Sequence, residues 1–268
     1  MGISQTSSGH RKWVRGLHRK RIREKERAFI AEGFNALESA IEATQHPIRE
    51  VLTEQDHLER VVALVSDRVP VYLCSRSVME ELSTEKTPQG VLIICSRGEC
   101  TFGELDESPP ETVLYLDRVS DPGNLGAIIR TSLWFGVSHL ALSPFCVDPF
   151  NAKVIRASAG AIFKARIYQP VDSGELMNFS KRMEYLMVAM VPHGGIRPDV
   201  LGKKGRKIIM MGQEADGLSN DLIACADLSV SIPGRGDVES LNLSVASAIA
   251  LYEIAQSRAR LSGEAAER

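Results

Sequence analysis

The chain has 268 residues, with 32 Lys and Arg against 34 Asp and Glu and an apolar fraction of 44%. That is the composition of an ordinary globular protein with room for one large or two modest domains. No apolar run approaches the roughly 20 residues of a membrane span, and the basic N-terminus is not followed by an apolar signal region. Membrane and secretory roles are therefore not indicated, and the cytoplasm is the expected location. Cys74, Cys95, Cys100, Cys146 and Cys225 are scattered, with no C-x-x-C pair and no histidine at zinc-ligand spacing. Reduced, mostly buried thiols and no metal site are expected.

Charge is unevenly placed. Arg11, Lys12, Arg15, Arg19, Lys20, Arg21, Arg23, Lys25 and Arg27 face only Glu24 and Glu26 in the first 27 residues, which leaves the rest of the chain net acidic. A basic arm over 1–27 predicts a polyanionic partner, because phosphate contacts supply most non-specific nucleic-acid affinity. Trp13 among these bases could stack on a nucleobase. The alternative is a solvated, fraying terminus.

After the arm, Phe29-Ile30 leads into a predicted helix over 32–43, where Phe34, Leu37, Ala40 and Ile41 recur at helical spacing. A strand over 48–53, a helix over 57–65, a strand over 71–74, a short helix over 78–82 and a buried strand over 90–95 follow. This predicts a small α/β domain over 28–100 with a binding role, since His46 and His57 are isolated and Glu80 and Glu81 fit an exposed helix face. The stretch 97–111, with Gly98, Gly103, Pro109 and Pro110, reads as a connection, and the linker is set at 101–111. Strands at 113–116, 140–142, 165–168, 186–190, 207–211 and 228–232, separated by helices, then predict a mostly parallel sheet covered on both faces. This second domain runs over 112–260, and a tail over 261–268 closes the chain.

Three stretches of the second domain share one grammar: an apolar strand, a glycine-bearing loop and polar residues where a helix starts. The first runs through Asp117-Arg118-Val119-Ser120-Asp121-Pro122-Gly123-Asn124-Leu125-Gly126 to Arg130. The second is Gly212-Gln213-Glu214-Ala215-Asp216-Gly217-Leu218-Ser219. The third runs from Ser231-Ile232-Pro233-Gly234 through Glu239-Ser240-Leu241-Asn242 to Tyr252. In the third, Leu241, Val245, Ala248, Ile249 and Tyr252 give an apolar helical face, and Ser240 is a cap candidate. Glycines after strands let backbone groups approach a ligand, and three such loops can converge on one sheet edge. A cofactor pocket is the leading reading. His193-Gly194-Gly195 is read as a turn.

In this order, the three motifs resemble those of the SpoU/TrmH family of the SPOUT class, S-adenosylmethionine-dependent RNA ribose 2′-O-methyltransferases, over roughly 113–252. The segment 151–160 also resembles a family segment, and the first domain is similar to the ribosomal-protein-like α/β domain with which many members hold RNA. The resemblance implies a SPOUT α/β domain with a parallel sheet and a deep trefoil knot. It implies that Gly212, Ile232 and Leu241 hold S-adenosylmethionine, and that Asn124, Arg130, Glu214, Ser240 and Asn242 form the polar catalytic set. Members are usually homodimers with the site near the subunit interface, for which Ser244, Ala246, Ser247, Ala248 and Ala250 would suit close helix contact, as they would packing inside one subunit.

The family proposal makes Arg130 the base that takes the hydroxyl proton. Guanidinium is protonated far above neutral pH, so orienting the ribose or stabilising a developing alkoxide is the other role. Gln213, Ala215 and the lack of a proline before the strand at 165–168 depart from the family pattern without removing a polar site residue. Ribosomal RNA is the expected substrate ahead of transfer RNA. A non-catalytic RNA-binding or ribosome-assembly factor is the alternative of another class. A nicotinamide enzyme fits poorly, because Gly123-Asn124-Leu125-Gly126 is not G-x-G-x-x-G.

Overall fold

The computed structural model describes residues 3–262 apart from 99, 204 and 237, so the predicted tail lies outside the described residues from 263 onward. The chain forms two compact units, Met1–Glu99 with Asp148–Lys164, and Cys100–Val147 with Ala165–Arg268. The first unit runs β1 (Ile3–Gln5), α1 (Ser8–Gly16), α2 (Lys20–Glu26), β2 (Ala28–Glu32), α3 (Phe34–Glu42), β3 (Ile48–Thr53), α4 (Leu58–Leu64), β4 (Val71–Leu73), α5 (Arg76–Leu82) and β5 (Val91–Ser96). The second begins with β6 (Thr112–Asp117), α6 (Pro122–Trp134) and β7 (His139–Leu142). The chain then returns to the first for α7 (Ala152–Ala157). It completes the second with β8 (Arg166–Tyr168), α8 (Ser173–Arg182), β9 (Leu186–Met190), β10 (Lys207–Gly212), α9 (Asn220–Ala224), β11 (Leu228–Val230) and α10 (Leu243–Ser262).

The first unit holds a mixed sheet in the order β1-β4-β3-β5-β2. Its basic N-terminal residues are not an arm but part of the fold. Ile3 pairs in register with Val71, and Val14 and Leu17 are buried in a core with Ile30, Leu52, Met79 and Leu92. Ser7 caps α1 by accepting a bond from the His10 amide (3.1 Å). Arg23, 5% exposed, donates to Asp148 (2.5 Å) and to the carbonyls of Leu17 and His18. Lys12, Arg15, Arg19, Lys20, Arg21, Lys25 and Arg27 remain exposed.

The segment that returns at Asp148 packs on the same unit. Phe150 lies 4.8 Å from the Phe29 ring and 5.4 Å from that of His46, and the Lys164 ammonium donates to Glu42 (2.6 Å). Strand β2 pairs antiparallel with β5, so the helix expected from 32 starts only at Phe34.

The second unit holds a sheet in the order β11-β9-β10-β6-β7-β8, parallel at every pairing. All residues of β6 and β10 are buried, as expected for central strands covered on both faces. The expected linker is structured. Glu104 accepts from the Thr101 amide and hydroxyl (3.0 Å each), and Phe102 and Leu105 enter the core beside Phe179 and Tyr168. Helix α10 packs on α6 and on 198–202, but not with the expected face. Leu243, Ser247, Ala250, Leu251 and Ile254 are buried, whereas Leu241, Val245 and Tyr252 are exposed. Among the described residues, no helix is long and apolar enough to cross a membrane.

Candidate active site

Parallel strands deliver their carboxyl ends to one edge of a sheet, where ligands of such folds bind. β6 and β10 end side by side there, with Asp117 in register with Gly212. Gly212 can carry no side chain: a Cβ would lie 2.0 Å from the carbonyl carbon of Gly217 and 2.1 Å from the Leu218 nitrogen. The loop over 213–218 therefore folds back directly onto the strand end. β9 and β11 finish nearby in the sheet, and a Cβ on Gly195 would come within 2.5 Å of the Val230 and Ser231 backbone. These loops and the stretches 232–236 and 238–241 line a cavity of ≈ 730 Å³. Gly212, Glu214, Ile232, Ser240 and Leu241 all line it, and so does His193, whose loop the sequence suggested was only a turn.

Beside the cavity the three motifs meet on one carboxylate. Asp121 caps α6 by accepting from the Asn124 amide (2.7 Å), which fixes Asn124 in the first turn. The Asn124 side-chain amide donates to Glu214 Oε1 (2.8 Å), and that of Asn242 donates to the same oxygen (2.6 Å) and to Asn124 Oδ1 (3.1 Å). Asn242 Oδ1 accepts from the amide (2.9 Å) and hydroxyl (2.6 Å) of Ser244, so Asn242, and not Ser240, caps α10. Each asparagine is thus held by a helix start and in turn holds Glu214. Arg130 is not part of this cluster. It is exposed on α6, about 9 Å along the axis from Asn124, and makes no ion pair among the described residues.

A second polar brace escaped the sequence reading. Asp117, 4% exposed, accepts from the Ser219 amide (3.0 Å) and from Arg118 Nε (3.1 Å). Arg118, in the left-handed region at φ 56°, donates from its guanidinium to the Gly217 carbonyl (3.2 Å) and from its amide to Ser143 Oγ (2.8 Å). The ends of β6 and β7 and the Glu214 loop are tied together by these bonds. A charged pair closing an otherwise apolar buried strand was the available signal.

A family model described as the SpoU rRNA Methylase family matches residues 111–252, and one described as an MRM3-like substrate binding domain matches 11–93. An uncharacterized tRNA/rRNA methyltransferase of Synechocystis is 29% identical over 257 residues, 94% of this chain and 92% of its own. The 23S rRNA (guanosine(2553)-2′-O)-methyltransferase RlmP of Bacillus subtilis is 27% identical, covering 89% of this chain and 92% of its own. A crystal structure of an AdoMet-bound rRNA methyltransferase from Sinorhizobium meliloti superposes with a TM-score of 0.84 at 28% identity, over 97% of this chain and 98% of that one.

Proposed function

The chain belongs to the SpoU rRNA methylase family, and on that footing we propose that it transfers the methyl group of S-adenosylmethionine to a ribose 2′-oxygen of ribosomal RNA. The observation that carries this reading is the convergence of Asn124, Glu214 and Asn242 at the rim of a cavity floored by the side-chain-free Gly212. The relatives in Bacillus and Sinorhizobium, both named as ribosomal RNA methyltransferases, support ribosomal RNA over transfer RNA.

The cavity suits the methyl donor. Its size is that of a cofactor site, its wall offers apolar Leu218, Ile232, Leu241 and Leu243, and backbone groups come close where Gly212 has no Cβ. When bound there, S-adenosylmethionine supplies an electrophilic methyl carbon. The protein's part is then largely positioning, which lowers the barrier by holding reactants in line. Glu214, fixed by two amide donors, orients the group it accepts from next, either the 2′-hydroxyl or the Arg130 guanidinium. Ser240 lines the cavity as a further hydroxyl partner. Arg130 holds the ribose or its phosphate and stabilises the developing alkoxide.

The exposed bases of the first unit, Lys12, Arg15, Arg19, Lys20, Arg21 and Lys25, contact the RNA backbone in this reading. The protein acts as a homodimer, with Val245 and Tyr252 of α10 and Trp134 of α6 in the contact.

The test is transfer of labelled methyl from S-adenosylmethionine to total RNA of a strain lacking the gene, with Asn124→Ala and Arg130→Ala proteins alongside. Label at one alkali-resistant ribose of ribosomal RNA, lost in both variants, is the expected result. Cofactor binding without transfer to any RNA would replace the enzyme by a binding factor.

A further inference from the structure

Phe145 is 79% exposed, yet the turn that carries it is fixed on both sides. The Cys146 amide donates to the Ser143 carbonyl (3.2 Å) across the turn, and the ring of Pro144, directly before Phe145, fixes φ there. Ser143 Oγ accepts from the Arg118 amide (2.8 Å), the Cys146 thiol donates to the Leu116 carbonyl (3.2 Å), and the Val147 amide donates to Val119 (2.9 Å). The anchors are Leu116 at the end of β6 and Arg118 and Val119 on the connection from β6 to α6, whose first turn carries Asn124. Because β7 neighbours β6, the turn leaves the sheet at the same edge as β6, about one strand spacing, ~4.8 Å, to its side.

Exposure alone decides nothing, since single apolar residues are common on protein surfaces. What sets Phe145 apart is rigid presentation on the sheet edge where the cofactor loops gather. Trp134, also exposed, lies at the far end of α6, and next to it Phe135 packs 6.1 Å from the Tyr252 ring on the outer face of α10. A flat apolar ring carried by an anchored turn at the rim of an RNA site matches a nucleobase. Stacking needs a π face rather than a particular base, and a platform already fixed loses little freedom on binding. RNA readers commonly take splayed, unpaired bases onto such rings.

Resting on the proposed RNA 2′-O-methyltransferase activity, we infer that Phe145 is a stacking platform for an unpaired nucleobase beside the ribose that receives the methyl group. It binds substrate and takes no part in proton or methyl transfer.

The full-length Phe145→Ala and Phe145→Tyr proteins test this, with S-adenosylmethionine titration as the control for an intact cofactor site. Two readouts are used: steady-state transfer to ribosomal RNA from a strain lacking the gene, and fluorescence of a single-stranded RNA containing 2-aminopurine. F145A is expected to raise KM for RNA by roughly 5- to 100-fold with kcat and cofactor affinity unchanged, while the tyrosine variant keeps the wild-type KM. Quenching of 2-aminopurine is expected with wild type and F145Y and not with F145A. Where transfer is measured, an F145A KM equal to that of wild type overturns the inference and leaves the methyltransferase reading standing. Should wild type transfer no methyl to any RNA, that reading falls and the fluorescence decides: quenching lost in F145A upholds the platform, and equal quenching overturns it.

Discussion

Replacing Gly212 by alanine tests whether backbone approach at the end of β10 makes the cofactor site. The added Cβ would lie 2.0 Å from Gly217 C, 2.1 Å from Gly217 O and 2.1 Å from Leu218 N, all backbone atoms that no rotamer change can move aside. Ordinary contact is about 3.5 Å, so the loop must retreat by roughly 1.5 Å. The Gly217 amide bond to Gln213 O (3.0 Å), the Arg118 bond to Gly217 O (3.2 Å) and the Ser219 bond to Asp117 (3.0 Å) all resist that movement. Overpacking of this kind costs about 1–3 kcal/mol, which for a chain of this size lowers Tm by roughly 2–10 °C. The larger effect is on function, since the same loop carries Glu214, and a displacement near 1 Å at a reacting centre costs on the order of 100-fold in rate. Calorimetric titration with S-adenosylmethionine, a thermal melt and methyl transfer should show a modest loss of Tm, weakened binding and transfer slowed by on the order of 100-fold. An alanine variant that bound the cofactor as wild type does would refute the argument that this glycine is required by the fold of the loop.

Three further outcomes follow from the geometry. Burial pushes the His46 imidazole down to about 4, with its Nδ1 accepting from the Gly98 amide, so the unfolded chain gains a proton below about 6.5 that the native state refuses until about 4. Its contribution is complete above pH 6.5 and is lost as pH falls toward 4, about 2 kcal/mol between pH 7 and pH 5; denaturant midpoints should fall over that window in wild type and fall less in His46→Gln. Asp148→Ala strands the buried Arg23 guanidinium and should cost about 3–5 kcal/mol in unfolding free energy, part of it recovered in the Arg23→Met, Asp148→Leu double variant. Tyr252→Arg should convert a sedimenting dimer to a monomer, and a wild-type protein that sediments as a monomer would remove α10 as a subunit contact.

Most of the second sheet was legible because its strands are buried on both faces and therefore read as continuous apolar runs, as in Thr112–Asp117 and Lys207–Gly212. β1 was not, because Ile3–Gln5 is exposed along its whole length and is a strand only through pairing with Val71–Leu73, a partner that no local pattern names. The linker failed for a related reason: glycines and prolines around 97–111 signal irregular backbone, but they do not reveal that Phe102 and Leu105 complete a core with residues as distant in the chain as Tyr168 and Phe179. The polar cluster was found by motif register and not by spacing, since nothing in the sequence separation of Asn124, Glu214 and Asn242 requires contact. Helix α10 misled because it is apolar on two sides. Leu241, Val245, Ile249 and Tyr252 repeat as regularly as Leu243, Ala250, Leu251 and Ile254, and periodicity ranks neither set above the other. The sheet and α6 occupy one side, and the other is left with Val245 and Tyr252 in water. A helix apolar all round is normally covered all round. The ambiguity in the sequence therefore has a physical counterpart, an inner face selected by this subunit and an exposed outer face on which the proposed dimer contact rests.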